Sequence, residues 1–101
     1  MTQRYEVRIA RPGPRPAFYC VAEHLWGKEC DVDSDGNSES PDDTNWTELD
    51  LHLRGSGLYV DVLPLSFEPL VLVVGSSDEA LCWKAARFLA LHSGGELQGA
   101  A

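Results

Sequence analysis

No stretch of this 101-residue chain approaches the ~18 consecutive apolar residues that a membrane span needs. The opening residues, MTQRYEVRIARPG, lack the apolar core and small-residue cleavage site of a secretory leader, so a cytoplasmic location is expected. Cysteine is scarce: Cys20, Cys30 and Cys82 are odd in number and widely spaced, which fits free thiols and not a disulfide framework. Basic residues are scarce as well. Eight Lys and Arg stand against sixteen Asp and Glu, a net charge of −8. That balance argues against gripping nucleic acid through its phosphates or settling on an anionic membrane. Catalytic signatures are missing too. No Ser or Cys nucleophile is joined to a His and a carboxylate, Gly55-Ser56-Gly57 is too short for a phosphate loop, and Gly75-Ser76-Ser77 lacks the lysine of one. The chain reads as a non-enzyme.

What remains is one domain, residues 1–101, organised around PLVLVVGSSDEALCWKAARFLALHSGG. Leu70 to Val74 is an apolar run of strand length, expected to be central and buried on both faces. Gly75 breaks it, and Ser76 with Glu79 has capping-box spacing. Leu81, Ala85, Phe88, Leu89 and His92 then share one helical face, and Gly94-Gly95 ends the helix. Upstream, Tyr5, Val7 and Ile9 alternate with Arg4, Glu6 and Arg8 as a half-buried strand, followed by a proline-rich turn over residues 11–16. Residues 17–27 suit a helix with Phe18, Val21, Ala22, Leu25 and Trp26 on one face; a strand is the alternative.

Leu49, Leu51 and Leu53 alternate, Gly55-Ser56-Gly57 supplies a hairpin turn, and Val60 and Val62 answer from the second strand. Pro64 and Pro69 bracket a connection to the central strand, and residues 96–98 offer a short edge strand before a frayed tail at Gly99-Ala100-Ala101. The expected fold is α+β: a two-layer sandwich with an antiparallel sheet of about 4–5 strands and two helices on one face.

Charge is unevenly placed. Residues 1–28 hold Arg4, Arg8, Arg11, Arg15 and Lys28 against Glu6 and Glu23, whereas residues 29–50 hold nine acids and no base. Residues 29–45, ECDVDSDGNSESPDDTN, read as a long, mobile polar loop. Within it, Asp31, Asp33, Asp35, Gly36, Asn37, Glu39 and Asp42 resemble the twelve-residue EF-hand calcium loop, whose alternate oxygen ligands wrap a hard cation. The resemblance implies calcium on Asp31, Asp33, Asp35, Asn37, Glu39 and Asp42. It departs at Ser38, at Asp42 in place of a longer Glu, at Pro41, and in a following segment that reads as strand.

The same acids also suit a protein interface, with Asp31, Asp33, Asp35, Glu39, Asp42, Asp43 and Glu48 meeting a basic partner and Trp46 as an aromatic anchor. Burial of Trp46 at a strand start is the plainer reading. Trp83, one turn from Arg87, is a second candidate anchor or a cation–π pair. A zinc site drawn from Cys20, His24 and Cys30 lacks a fourth ligand, and His92 reads as a partly buried histidine near a helix C-terminus.

In size, acidity and element order the chain resembles the small acidic immunity proteins of bacterial polymorphic-toxin systems. That resemblance implies a cytoplasmic monomer or homodimer that occludes the active site of a cognate basic toxin, with a nuclease as one option. The alternatives are a calcium-binding module and a small dimeric accessory domain. No cofactor is implied beyond calcium.

Overall fold

A computed structural model describes residues 4–99. The elements run β1 (Tyr5–Ala10), α1 (Phe18–Trp26), β2 (Val32–Gly36), β3 (Leu49–Leu53), β4 (Tyr59–Phe67), β5 (Leu70–Ser76), α2 (Glu79–Ser93) and β6 (Glu96–Gly99). All the strands join one six-stranded antiparallel sheet in the order β2-β3-β4-β5-β1-β6. The α+β sandwich is therefore as expected, with a slightly larger sheet. Ala100 and Ala101 of the expected tail lie outside the described residues, and Gly99 is paired with Val7 in β6.

Side chains alternate faces along a strand, so the pairing register decides what each face presents. Leu49, Val62, Val74 and Val7 are directly opposed from strand to strand across β3, β4, β5 and β1, and all are buried. Leu51 and Val60 extend this layer on one side and Leu72 and Ile9 on the other. The helices close over it with Val21, Ala22 and Leu25 from α1 and Cys82, Ala85, Ala86, Leu89 and Ala90 from α2.

Several local expectations are corrected. The β5 run is buried on one face: Leu72, Val74 and Ser76 lie under the helices, while Val71 and Val73 are half-buried on the uncovered face. Gly75 does not end the strand, because the ladder continues through Ser76 opposite Tyr5. Ser76 consequently cannot cap α2. Its hydroxyl donates to the Tyr59 carbonyl at 2.6 Å, and Asp78 is the N-cap, its carboxylate accepting from the Leu81 amide at 2.9 Å.

The buried stripe of α2 is rotated from the expected one. Small residues at 82, 85, 86 and 90 let the helix sit close to the sheet, while Leu81 and Phe88 are displaced to its margin and His92 is exposed. Gly94, left-handed at φ 74°, ends the helix as expected. β4 runs through Pro64 with a register shift between Pro64 and Ser66, and the proline is accommodated at that irregularity. A tight turn at Glu68-Pro69 leads into β5, so the expected bracketed connection is a hairpin.

The largest correction concerns residues 29–45. Val32–Gly36 forms β2, an edge strand paired with β3. The remainder is tied down by its own side chains. Asn37 accepts through Oδ1 from the Thr47 and Glu48 amides, both at 2.9 Å, and donates to Thr47 Oγ1 at 2.8 Å. Asp43 accepts from the Glu39 and Asn45 amides at 3.0 and 2.8 Å.

A clasp with the proline-rich turn completes the anchoring. Arg15, 7% exposed, donates from Nε to the Trp46 carbonyl at 2.8 Å and from a terminal nitrogen to the Gly13 carbonyl at 2.9 Å. Its amide donates to the Thr44 carbonyl, and the Trp46 indole donates to the Pro16 carbonyl at 2.9 Å. Burial holds the Arg15 guanidinium below its usual pKa, against the opposing pull of Asp43.

Loss of the clasp should be costly. Trp46→Ala is expected to cost about 3–5 kcal/mol, and Arg15→Met, which strands the buried Trp46 carbonyl and the part-buried Gly13 carbonyl, about 1–3 kcal/mol. Urea unfolding gives both numbers. Amide exchange in Arg15→Met should rise across residues 37–46, and losses under about 1 kcal/mol for both variants would show that the clasp is not what orders this segment.

Candidate functional site

Both helices lie on one side of the sheet, so the other face is open to solvent. By register it carries Asp33 and Asp35 from β2, Asp50 and His52 from β3, Tyr59, Asp61 and Leu63 from β4, and Val71, Val73 and Gly75 from β5. Arg4, Glu6 and Arg8 face the same way on β1. The pairing sets Asp35 opposite Asp50, Asp50 opposite Asp61, Asp61 opposite Gly75, and Gly75 opposite Glu6. One line of carboxylates thus crosses five strands, interrupted at a glycine.

The interruption is filled by Arg4. Its guanidinium lies over Gly75, where a Cβ would collide with it. It donates to both oxygens of Asp61 at 2.9 and 2.6 Å and from Nε to Glu6 at 3.1 Å. These bonds, that to Asp61 foremost, raise the Arg4 pKa further above its already high ordinary value. Asp61 is accordingly the most sheltered of the row, its side chain 18% exposed.

The other end is less compensated. His52 Nε2 lies 3.1 Å from Asp50 Oδ1, and the imidazole stacks on Tyr59. Asp35 accepts from the neighbouring Gly36 amide at 2.8 Å. Between these groups the surface dips into a depression of about 210 Å³ lined by Asp35, Gly36, Glu48, Leu49, Asp50, Asp61 and Leu63. Four carboxylates and one half-exposed leucine therefore border the same hollow.

The residues singled out from sequence are dispersed by comparison. Asp31 and Asp33 flank Arg54, at 3.1 and 3.9 Å. Asp42 accepts from the Tyr19 hydroxyl at 2.9 Å, which pushes the Tyr19 pKa up. Asp43 is occupied by two backbone amides, which hold its carboxyl below the usual range. Glu39 is exposed. Trp46 is 1% exposed, so the aromatic anchor is corrected to a core residue. Asp35 and Glu48 alone join the depression.

The EF-hand geometry is absent from this segment. A calcium loop curls so that alternate oxygens converge on one point, whereas β2 is extended and sets Asp33 and Asp35 along a line. Asn37 spends its side chain on Thr47 and Glu48. Among the described residues no group of three or more His, Cys, Asp or Glu side chains is placed to hold a metal ion.

The zinc set is separated as well: Cys30 Sγ faces the Ala22 carbonyl at 3.8 Å, and His24 stacks on Phe88 at 4.2 Å. Burial, with Lys84 and His92 nearby, lowers the His24 pKa. Burial also pushes the Cys82 thiol up to about 11, which leaves it a poor nucleophile. Arg87 lies over the Trp83 ring at 5.4 Å, the cation–π pair expected from their spacing.

Asp61, Glu6, Arg4 and Leu63 were not named as site residues from sequence, and Asp50 entered only as the end of the acidic run over residues 29–50. The signal was present: with Gly55-Ser56-Gly57 at the turn, pairing Leu49 with Val62 necessarily sets Asp50 against Asp61. Compared with known proteins, the chain matches no family model, no curated protein and no solved structure at a significant level.

Directly opposed like charges destabilise a sheet, where a favourable cross-strand pair contributes about 0.2–1 kcal/mol. Asp50→Thr should therefore stabilise the protein by about 0.5–1 kcal/mol in low salt at pH 8, a gain that shrinks in concentrated salt. Urea unfolding at both ionic strengths tests this, and a loss of stability in low salt would show that the row is already neutralised internally.

A pH dependence follows from Asp43. Its folded-state pKa is depressed, so its contribution is present above the ordinary carboxylate pKa and lost as pH falls through the lowered value. The Tm difference between wild type and Asp43→Ala should be present at neutral pH and vanish in strong acid.

Proposed function

We propose that the protein is a non-catalytic binding protein that neutralises a basic partner by covering it with the open face of the sheet. In biological terms this is an immunity or inhibitor protein, and its partner is a toxin with a cationic active-site cleft. The observation that carries the reading is the direct opposition of Asp35, Asp50 and Asp61 on neighbouring strands.

Carboxylates on an edge strand have a sufficient explanation without any partner, since charge there blocks edge-to-edge aggregation. That account reaches Asp33 and Asp35 on β2. It does not reach Asp50 and Asp61, which stand on interior strands where no edge needs protection. Arg4 already offsets the charge of Asp61, whereas opposing Asp50 to Asp35 costs the sheet stability, and a cation brought by another molecule would offset that cost. A nuclease cleft evolved to hold phosphates offers such cations in a row. The field of the acidic face would speed encounter and make it sensitive to salt.

The docking surface differs from the one suggested by sequence alone. Its centre is the row on β2, β3 and β4 with Glu48 at its margin, and the segment around Asp42 and Asp43 belongs to the scaffold. No geometric observation favours calcium or an accessory dimer over this reading.

The test is protection. Open reading frames adjacent to this gene are expressed singly in a heterologous host, with and without this chain. One of them should arrest growth, and the wild-type protein should relieve the arrest and co-purify with its product. Asp35→Lys/Asp50→Lys should lose protection and weaken binding by at least about a hundredfold, as removal of close interfacial charge pairs does. A toxic neighbour that the double variant still neutralises would refute the role of the row, and the absence of any toxic neighbour would refute the immunity reading.

A further inference from the structure

The acid row does not occupy the open face alone. Two residues along β4 from Asp61 stands Leu63, 50% exposed, directly opposite Val73 of β5. Val71, two residues further along β5, faces the same way and is also half-buried. Carboxylates on β2, β3 and β4 thus adjoin an apolar strip on β4 and β5, and the two meet where Asp61 and Leu63 border one depression. On the far side of the strip stands Arg8, directly opposite Val73. The face therefore runs from negative, through apolar, to positive.

We infer that this face receives a basic amphipathic helix of the partner protein, its cationic edge over Asp35 and Asp50, beside the Asp61 that Arg4 already holds, and its apolar stripe on Leu63, Val71 and Val73. This rests on the reading that the acid row meets a basic protein, and it adds the form of the segment and its second chemistry. Charge selects the occupant. A second copy of this chain would bring its own net −8 to the contact, whereas a cationic segment is attracted from the start.

Geometry selects the form. An extended segment presents one file of alternate side chains to a surface, so laid along the acid row it cannot also cover the apolar strip beside it. A helix can, because residues three and four apart share a face, and its width of about 10–12 Å spans two rows separated by roughly 6–7 Å of strand. Leu63 within the acidic hollow also suits the aliphatic stem of an arginine whose head reaches the carboxylates. Arg8 fixes the orientation by repelling a cationic edge placed on the wrong side of the strip.

Backbone amide NMR titration tests the inference with three blocked helical peptides of one design. The first carries an arginine edge beside a leucine stripe; in the second the leucines are serines, and in the third the arginines are glutamines. The first should bind with shifts centred on Asp50, Asp61, Leu63 and Val73, and about five- to tenfold more tightly than the second, as burial of the exposed half of a leucine predicts. Leu63→Ser and Val73→Thr, which leave the acids in place, should erase that advantage.

Equal binding of the first two peptides would overturn the apolar half of the inference while the acid row kept its role. Equal binding of the first and third, or shifts confined to the β4–β5 tip at Phe67, would overturn the inference by removing charge from recognition. No binding by either arginine peptide would overturn both the inference and the charge reading beneath it. A concentration-dependent dimer that buries Leu63 would replace the proposed helix by a second copy.

Discussion

The register between β3 and β4 decides what this molecule shows to solvent. Leu49, Leu51, Val60 and Val62 point toward the helices because they pair as they do, and the same pairing sets Asp50 and Asp61 against each other outside. A slip of one residue would exchange the two sets, burying aspartates under α1 and α2 and exposing the core leucines. Burying unpaired carboxylates costs several kcal/mol each, so the apolar face enforces the register and the acidic row is its fixed consequence. The fold and the candidate surface are two sides of one constraint.

That constraint reaches β2 through the clasp. Alone, residues 29–45 have too little apolar content to order themselves. Trp46, buried at 1% exposure, anchors their far end in the core. Arg15 and Pro16 hold its backbone carbonyl and indole, Asn37 bridges to Thr47 and Glu48, and β2 is left aligned on β3. Gly36 completes the arrangement. Its φ of 152° and the Glu48 carbonyl pressed against it leave no room for a side chain, so a glycine that resembled the sixth place of a calcium loop serves a close strand approach.

Legibility in the sequence followed the range of the interactions. Elements set by short-range periodicity were readable: the alternation of β1, the hairpin around Gly55-Ser56-Gly57, the apolar face of α1 and the stop at Gly94. Features set by long-range pairing were not. Ser76 has capping-box spacing, but the Tyr59 carbonyl claims its hydroxyl; Asp33 and Asp35 have calcium-loop spacing, but β3 holds them extended. In the sequence Arg15 is one of five bases in residues 1–28 and sits in a proline-rich turn. Nothing local reveals that its guanidinium is buried against a carbonyl thirty-one residues away. The acid row required counting register outward from a turn, and composition drew attention instead to the segment densest in aspartate.

The choice between a bare ion and a side-chain cation follows from the number of ligands. Calcium needs six to eight oxygens converging on one point at about 2.3–2.6 Å, and among the described residues no group of three or more His, Cys, Asp or Glu side chains is placed to hold a metal ion. A planar guanidinium needs only two carboxylates, since it can engage one with both prongs and a second through Nε. Arg4 does this within the molecule, gripping Asp61 with its terminal nitrogens and Glu6 with Nε. It also shows why Gly75 interrupts the row: a side chain there would lift the guanidinium off the sheet. The protein has thus built one arginine seat into its own row and filled it. Asp35 and Asp50 stand directly opposite each other without the glycine gap that Arg4 fills between Asp61 and Glu6, and on the proposed reading a cation from the partner would be shared between them.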